Sequence, residues 1–184
     1  MKLTEQEKAA RARQRMIDTA KKYQLGTYTT EFVAPIFQSM VRAEAAVDPR
    51  PFVTAVVAGS LRQVARRTGE CVCVTCGKVA AWRGASIGGG EIETGHFVAG
   101  RRASILFEPS NAHPQCKACN KHMNGNQGVY EIWMRGVFGQ EEIDRLRRLR
   151  HASITFDREQ LVDMRIGFQE RLNEAIQRME GSPG

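Results

Sequence analysis

The sequence predicts an α+β fold in which helical ends flank a middle built from short strands. Apolar residues recur at helical spacing in both outer thirds, and that period is lost between Cys71 and Asn126. Two Cys-x-x-Cys pairs fall inside the aperiodic stretch. Three regions follow: a basic helical region at 1–68, a cysteine-stapled core at 69–137, and C-terminal helices at 138–184, basic first and amphipathic second.

Residues 4–24 read as a helix opened by the capping-box pair Thr4 and Glu7 and stopped near Gly26. Its cations, Lys8, Arg11, Arg13, Arg15, Lys21 and Lys22, form a solvated face or one that lies along phosphates. A second helix is expected from about Pro35 to Val47, ending at Asp48-Pro49. A third is expected from Pro51 to Arg67, with Phe52, Val56, Val57, Leu61 and Val64 inside and Gly69 at its end. Strands are expected at Val79–Trp82, Glu91–Val98 and Ile105–Phe107, with Gly88-Gly89-Gly90 as a hairpin tip. Helices return at Gln127–Val137 and Glu141–Arg150. A long one follows Asp157, which has capping-box spacing to Gln160. Leu161, Met164, Phe168, Leu172, Ile176 and Met179 give this last helix one apolar stripe, a packing surface.

At 184 residues the chain supports one core, or one core with a small appendage. No run of 18 apolar residues is present, and the N-terminus has no apolar stretch of the signal-peptide kind. A cytoplasmic protein with no membrane partner is the expectation. Net charge is +7, from 27 basic and 20 acidic residues, which favours polyanionic partners such as nucleic acid.

In a reducing compartment the five cysteines read as metal ligands before disulfides. Cys73 and Cys76, with Cys116 and Cys119, can close a tetrahedral four-thiolate site round a structural Zn²⁺. Cys71 is the odd thiol; the Cys-x-x-Cys-Gly pattern prefers Cys73. The long insertion between the pairs and the residues just after hold three of the four histidines: His96, His113 and His122. His151 reads as a surface or capping residue. Histidines gathered beside a metal scaffold with Asn111 and Asn120 point to a functional site.

Gly95-His96-Phe97, Asn111-Ala112-His113-Pro114-Gln115-Cys116 and Cys119-Asn120-Lys121-His122 together resemble the HNH, or ββα-metal, nuclease family. They resemble one branch more closely, the phage NinG/Rap recombination proteins, over roughly residues 60–178 and most specifically over 71–130. The resemblance implies an HNH core with a treble-clef-like zinc site of four cysteines, flanked by helices. It implies His96 as general base, Asn111 as the residue that orients the His96 strand, and Asn120 as a ligand of a catalytic Mg²⁺ or Mn²⁺. Many HNH nucleases carry a metal ligand just before the base, where this chain has Gly95; His113 or His122 is expected to replace it, with Glu93 a further candidate.

Arg101, Arg102, Lys117 and Lys121 cluster by sequence round this site. Arg145, Arg147, Arg148 and Arg150 form a basic stripe beyond it, and all suit a DNA backbone more than base edges. The expected function is a metal-dependent endodeoxyribonuclease selective for branched recombination intermediates, such as Holliday junctions or D-loops, in phage recombination. Two other readings stand beside it: a non-catalytic zinc module that binds DNA or recombination proteins, and a homing or restriction-type HNH enzyme with a defined cut sequence. A homodimer through the Leu161–Met179 stripe is left open.

Overall fold

The computed structural model describes residues 3–83, 91–100 and 103–181. In chain order it contains helices α1 (Glu5–Ala20), α2 (Leu25–Tyr28) and α3 (Ala34–Val47), then strands β1 (Phe52–Val57), β2 (Ser60–Ala65), β3 (Glu70–Val72), β4 (Val79–Ala81) and β5 (Ile92–His96). A single helical turn α4 (Ala103–Leu106), strand β6 (Ala112–Cys116) and helices α5 (Gln127–Val137), α6 (Gln140–Leu149) and α7 (Arg158–Glu180) complete it. The strands form three antiparallel hairpins, β1–β2, β3–β4 and β5–β6, and the mixed α+β expectation is met.

Both predicted capping boxes form. The Glu7 amide donates to Thr4 Oγ1 at 3.2 Å, and the Gln160 amide donates to Asp157 Oδ1 at 2.9 Å, each answered by the reciprocal bond. Gly26 does not stop a helix, because α2 begins at Leu25. A π-helical turn, Thr29–Val33, carries the chain straight into α3, which therefore starts from further back than Pro35 suggested.

The expected helix over Pro51–Arg67 is a β-hairpin instead. Val53, Thr54, Val56, Val57 and Val64 are β-branched and suit a pleated surface. Ala58 and Gly59 both have positive φ, +50° and +78°, which makes the two-residue turn that matches strand twist. Of the five side chains expected inside such a helix, Val56 is buried and Val64 half-buried, while Phe52, Val57 and Leu61 are exposed on the hairpin. Ile105–Phe107 is likewise not a strand: Ile105 and Leu106 belong to α4, and all three side chains turn into the core. The Gly88–Gly90 tip lies outside the described residues.

Buried Arg66 explains how α3 ends against this hairpin. The helix leaves its last carbonyls without internal partners. Arg66 Nη1 donates to the carbonyls of Ala46 at 2.8 Å and Glu70 at 3.2 Å, and Nη2 donates to that of Asp48.

The largest apolar cluster draws on the whole chain. Ile17, Phe37, Met40 and Val41 from the N-terminal helices pack with Leu161, Leu172 and Ala175 of α7, and with Leu106, Phe107 and Ala112 of the middle. Phe37 lies 5.1 Å from Phe168 and 5.6 Å from Phe107, ring centre to ring centre. The 1–68 and 138–184 regions thus share one core across the face of the β5–β6 hairpin. A second cluster, Val56, Val74, Phe97, Ile105, Tyr130, Trp133, Ile143 and Leu146, fills the opposite side, and Trp133 Nε1 donates to the Thr54 carbonyl at 2.7 Å. The β5–β6 hairpin lies between two packed layers. Among the described residues, no helix is long and apolar enough to cross a membrane.

Candidate functional site

Cys73 follows β3, Cys76 sits in the turn closed by Gly77 (φ +75°), Cys116 ends β6, and Cys119 lies in a π-helical turn, Ala118–His122. Their four sulfurs all lie within 4.8 Å of one another, and Cys76 and Cys116 Sγ are 3.7 Å apart. A tetrahedral zinc with Zn–S of about 2.3 Å needs sulfur–sulfur edges of about 3.8 Å, so the set can close on one Zn²⁺. Backbone and side-chain donors already face the thiols: the Cys119 amide to Cys116 Sγ at 3.5 Å, and Asn126 Nδ2 to Cys119 Sγ at 4.0 Å. Cys71 lies outside this set. Its thiol donates to the Arg42 carbonyl at 3.2 Å, and burial pushes its pKa up to about 12, so it is a neutral core group.

The cluster carries the β5–β6 hairpin. The Val74 amide, within the first knuckle, donates to the Pro114 carbonyl of β6 at 3.0 Å, and the Val56 amide donates to the Val74 carbonyl at 2.9 Å. Across the hairpin Glu93 faces Gln115, Gly95 faces His113 and His96 faces Ala112. Strand alternation therefore puts Glu93, Gly95, His113 and Gln115 on one face, and Thr94 and His96 on the other.

His96 ends β5, half-buried, with its Nε2 3.0 Å from the Leu106 carbonyl oxygen. A carbonyl only accepts, so Nε2 carries the proton and Nδ1 keeps the lone pair. Burial lowers the imidazole pKa below its ordinary value, which holds the ring neutral at pH 7.

Asn111 is fully buried and staples the loop between the strands. Its Oδ1 accepts from the Val98 amide at 2.7 Å, while its Nδ2 donates to the carbonyls of Val98 at 3.1 Å and Ile105 at 3.2 Å. Removing that side chain would leave the Val98 amide and carbonyl without these partners, each costing about 1–3 kcal/mol, while the Ile105 carbonyl keeps the Glu108 amide at 3.4 Å. The staple fixes both the exit of β5 and the turn that presents the Leu106 carbonyl to His96.

On the other face, Asn120 Nδ2 donates to Glu93 Oε2 at 2.9 Å, and Lys121 Nζ pairs with Glu93 Oε1 at 2.6 Å. These two partners outweigh burial and hold the Glu93 carboxyl below its usual range. With its Nδ2 given to Glu93, Asn120 retains Oδ1 as an acceptor.

His113 is enclosed by Tyr130, Trp133 and Phe138, its ring 4.5 Å from that of Trp133. Its Nδ1 lies 2.8 Å from the Tyr130 hydroxyl, which donates onward to the Gly95 carbonyl at 3.3 Å. Burial drives the His113 pKa down to about 3, and the neutral ring serves here to tie β6 and α5 to the end of β5. His122 stands exposed. The four cysteines are the one group of three or more Cys, His, Asp or Glu ligand atoms that close among the described residues.

Gln115 is the residue that sequence reasoning passed over. It is fully buried, and its Nε2 donates to the Gly125 carbonyl at 2.8 Å and to Thr75 Oγ1 at 3.1 Å, while Oε1 has no partner among the described residues. A Cβ at position 95 would stand 1.9 Å from that oxygen. Glycine at 95 is therefore required by Gln115, which occupies the space a side chain there would fill. Gln115 stands within the same Asn-x-His-x-Gln-Cys block as Asn111 and His113, and that position was the available signal.

The cations divide into those already paired and those left open. Arg145 pairs with Glu142 at 2.7 Å and Glu108 at 3.0 Å, and Arg147 with Glu131 at 2.8 Å. Lys117, Arg148 and Arg150 are exposed or half-exposed at the surface. Arg101 and Arg102 lie outside the described residues. A groove of about 610 Å³ runs beside the loop after His96, lined by Phe97, Gln127, Glu131, Arg147, Arg150 and His151.

Three comparisons bear on this architecture. The chain is 25% identical to protein ninG of Escherichia phage lambda over 114 residues, 60% of this chain and 50% of that protein. It is 29% identical to protein ninG of Escherichia phage 933W over 86 residues, 45% of this chain and 38% of that protein. The chain thus aligns with half or less of the length of these relatives. No solved structure matches it. The family model described as bacteriophage lambda NinG protein matches residues 52–178, from β1 into α7, and the chain belongs to that family.

Proposed function

We propose that the chain is a metal-dependent endodeoxyribonuclease of the HNH type, with β5, β6 and the helical segment after Cys119 as its ββα core. The observation that carries this reading is His96: a neutral imidazole at a strand end, its tautomer set by the Leu106 carbonyl and its loop stapled by Asn111. Water attacking phosphorus passes its proton to His96 Nδ1 as the bond to the 3′-oxygen breaks. The Asn120 amide oxygen is a hard oxygen donor of the kind that suits Mg²⁺ or Mn²⁺, while the Glu93 carboxylate faces away from His96 and is held by Asn120 and Lys121. When bound, such an ion supplies positive charge against the phosphate and leaving oxygen. Lys117, Arg148 and the Arg150 groove suit the flanking backbone, with little base readout. Selectivity for branched intermediates follows from kinship with phage recombination proteins.

The test is cutting of plasmid and of a synthetic four-way junction with Mg²⁺ or Mn²⁺, beside His96→Ala. The variant is expected to lose at least about 100-fold in rate. A base must be unprotonated, so the acid limb of the wild-type pH–rate profile is expected below about pH 6.5, in the direction burial shifts His96. Cutting that survives His96→Ala removes His96 from this role.

One observation favours a non-catalytic zinc module: the Lys121 pair on Glu93 supplies the positive charge a metal would otherwise provide. Titration of Mn²⁺ into wild type and Asn120→Ala separates the readings, since only a nuclease requires a site that Asn120→Ala weakens.

A further inference from the structure

We propose that Gln115 and Thr75 are positioning residues of the metal centre: Gln115 holds the Thr75 hydroxyl so that its proton points at Cys73 Sγ. This rests on the reading of the four cysteines as a zinc site and assigns a role there to two residues that ligate nothing themselves.

Thr75 stands inside the first knuckle and Gln115 directly before the second, and both are buried, at 3% and 0% exposure. Gln115 Nε2 carries two hydrogens, and both are placed. One goes to the Gly125 carbonyl at 2.8 Å, the other to Thr75 Oγ1 at 3.1 Å. The Gly125 carbonyl only accepts, so the amide cannot be turned over without setting two oxygens against each other. That orientation leaves Oε1 without a donor among the described residues, in the space Gly95 leaves open. A buried acceptor left unpaired is unfavourable, and the two donated bonds are what hold it there.

Thr75 Oγ1 in turn lies 3.3 Å from Cys73 Sγ. The hydroxyl has one proton, and the Gln115 N–H already occupies an acceptor position on its oxygen. A metal-bound sulfur is a thiolate with no proton of its own and can only accept. With metal in place the chain of bonds therefore runs one way, from Gln115 to Thr75 to Cys73. The donor matters at this sulfur in particular. Four thiolates round one Zn²⁺ carry a net negative charge, and buried charge needs donors to replace the water it has lost. Cys76 is exposed to water, whereas Cys73 is fully buried.

The relay also joins the two knuckles. The Gly125 amide donates to the carbonyls of Cys119 and Asn120, each at 2.9 Å, while its own carbonyl takes the first Gln115 hydrogen. One buried side-chain amide thus fixes a sulfur of the first knuckle and the turn that closes on the second.

The experiment compares wild type, Thr75→Val, Thr75→Ser and Gln115→Met, each loaded with Co²⁺ and, separately, with Zn²⁺. Sulfur-to-cobalt charge-transfer absorption reports the electron density on the thiolates, and chelator competition gives the zinc affinity. Thr75→Val keeps the branched shape without the proton. It should move the absorption to longer wavelength and weaken zinc binding by about 10- to 100-fold. Thr75→Ser keeps a hydroxyl and should hold both readouts near wild type. Gln115→Met keeps the volume but frees the hydroxyl to turn away, and should move the band the same way by less. A side chain that merely packed would change the affinity or the urea midpoint and leave the band in place. An unmoved band in a Thr75→Val protein that takes up Co²⁺ overturns the proposal, while the four-cysteine reading stands. Should Thr75→Val take up no metal, Gln115→Met carries the test, and an unmoved band there overturns it. If wild type itself takes up neither ion, the four-cysteine reading fails and the proposal falls with it.

Discussion

At position 95 the side chain is absent for a packing reason. Many HNH nucleases carry a metal ligand at that place in the motif, and its lack here reads from sequence as a degenerate site. The structure shows a filled one: Gln115 Oε1 would lie 1.9 Å from any Cβ at 95. Gly95→Ala is therefore expected to destabilise the protein by about 1–3 kcal/mol through overpacking. Adding Gln115→Ala should recover part of that loss, because the pair shares one volume. Urea melts of the two single variants and the double variant give the coupling directly; strictly additive losses would show that the two residues do not interlock. His113 shows the same contrast between type and place. As a residue type it reads as a ligand; in place, its Nδ1 is committed to Tyr130 and its ring to an aromatic cage.

Elements are legible in the sequence where a local signal is unambiguous. Thr4 with Glu7 and Asp157 with Gln160 announce two helix starts, because the bonds that make a capping box lie within four residues. Helix α5 runs over Gln127–Val137 as its apolar period predicts. The 52–65 hairpin is hidden because apolar spacing there fits either period, and Ala58-Gly59 is a weak turn signal beside Asn-Gly. Alanine at φ +50° is strained. Ala58→Asn would supply the preferred turn residue and is expected to raise stability by about 0.5–1 kcal/mol, read as a higher urea midpoint at unchanged slope. A lower midpoint would mean that the turn is not the strained type I′ form.

Across the whole molecule, the four-cysteine cluster and the α3–α7 layer hold the β5–β6 hairpin together: Ala46 of α3 is buried with Cys73, Ile92, Cys116 and Cys119, and Met179 of α7 packs against them. Zinc bound by these thiolates would contribute folding energy directly. Cys116→Ser or prolonged chelation is expected to abolish cooperative melting of the hairpin and its second cluster, followed by tryptophan fluorescence from Trp133, which packs within it. An unchanged melt after zinc removal, verified by metal analysis, would rule out that structural role.

By itself the sequence determined the chemistry available: paired thiols at ligand spacing, the His96, Asn111 and Asn120 series, a basic surface and the capped helices. Each of these is a matter of residue type and short separation along the chain, where covalent geometry limits the outcomes. Tertiary structure decided which groups remain free to act. It closed the space at Gly95 with Gln115, buried His113, paired Arg145 and Arg147, and set Arg42 of α3 against Thr94 of β5, 52 positions further along the chain. Contacts over such separations depend on how whole faces of α3, α7 and the hairpin pack, and no local pattern of residues encodes that packing.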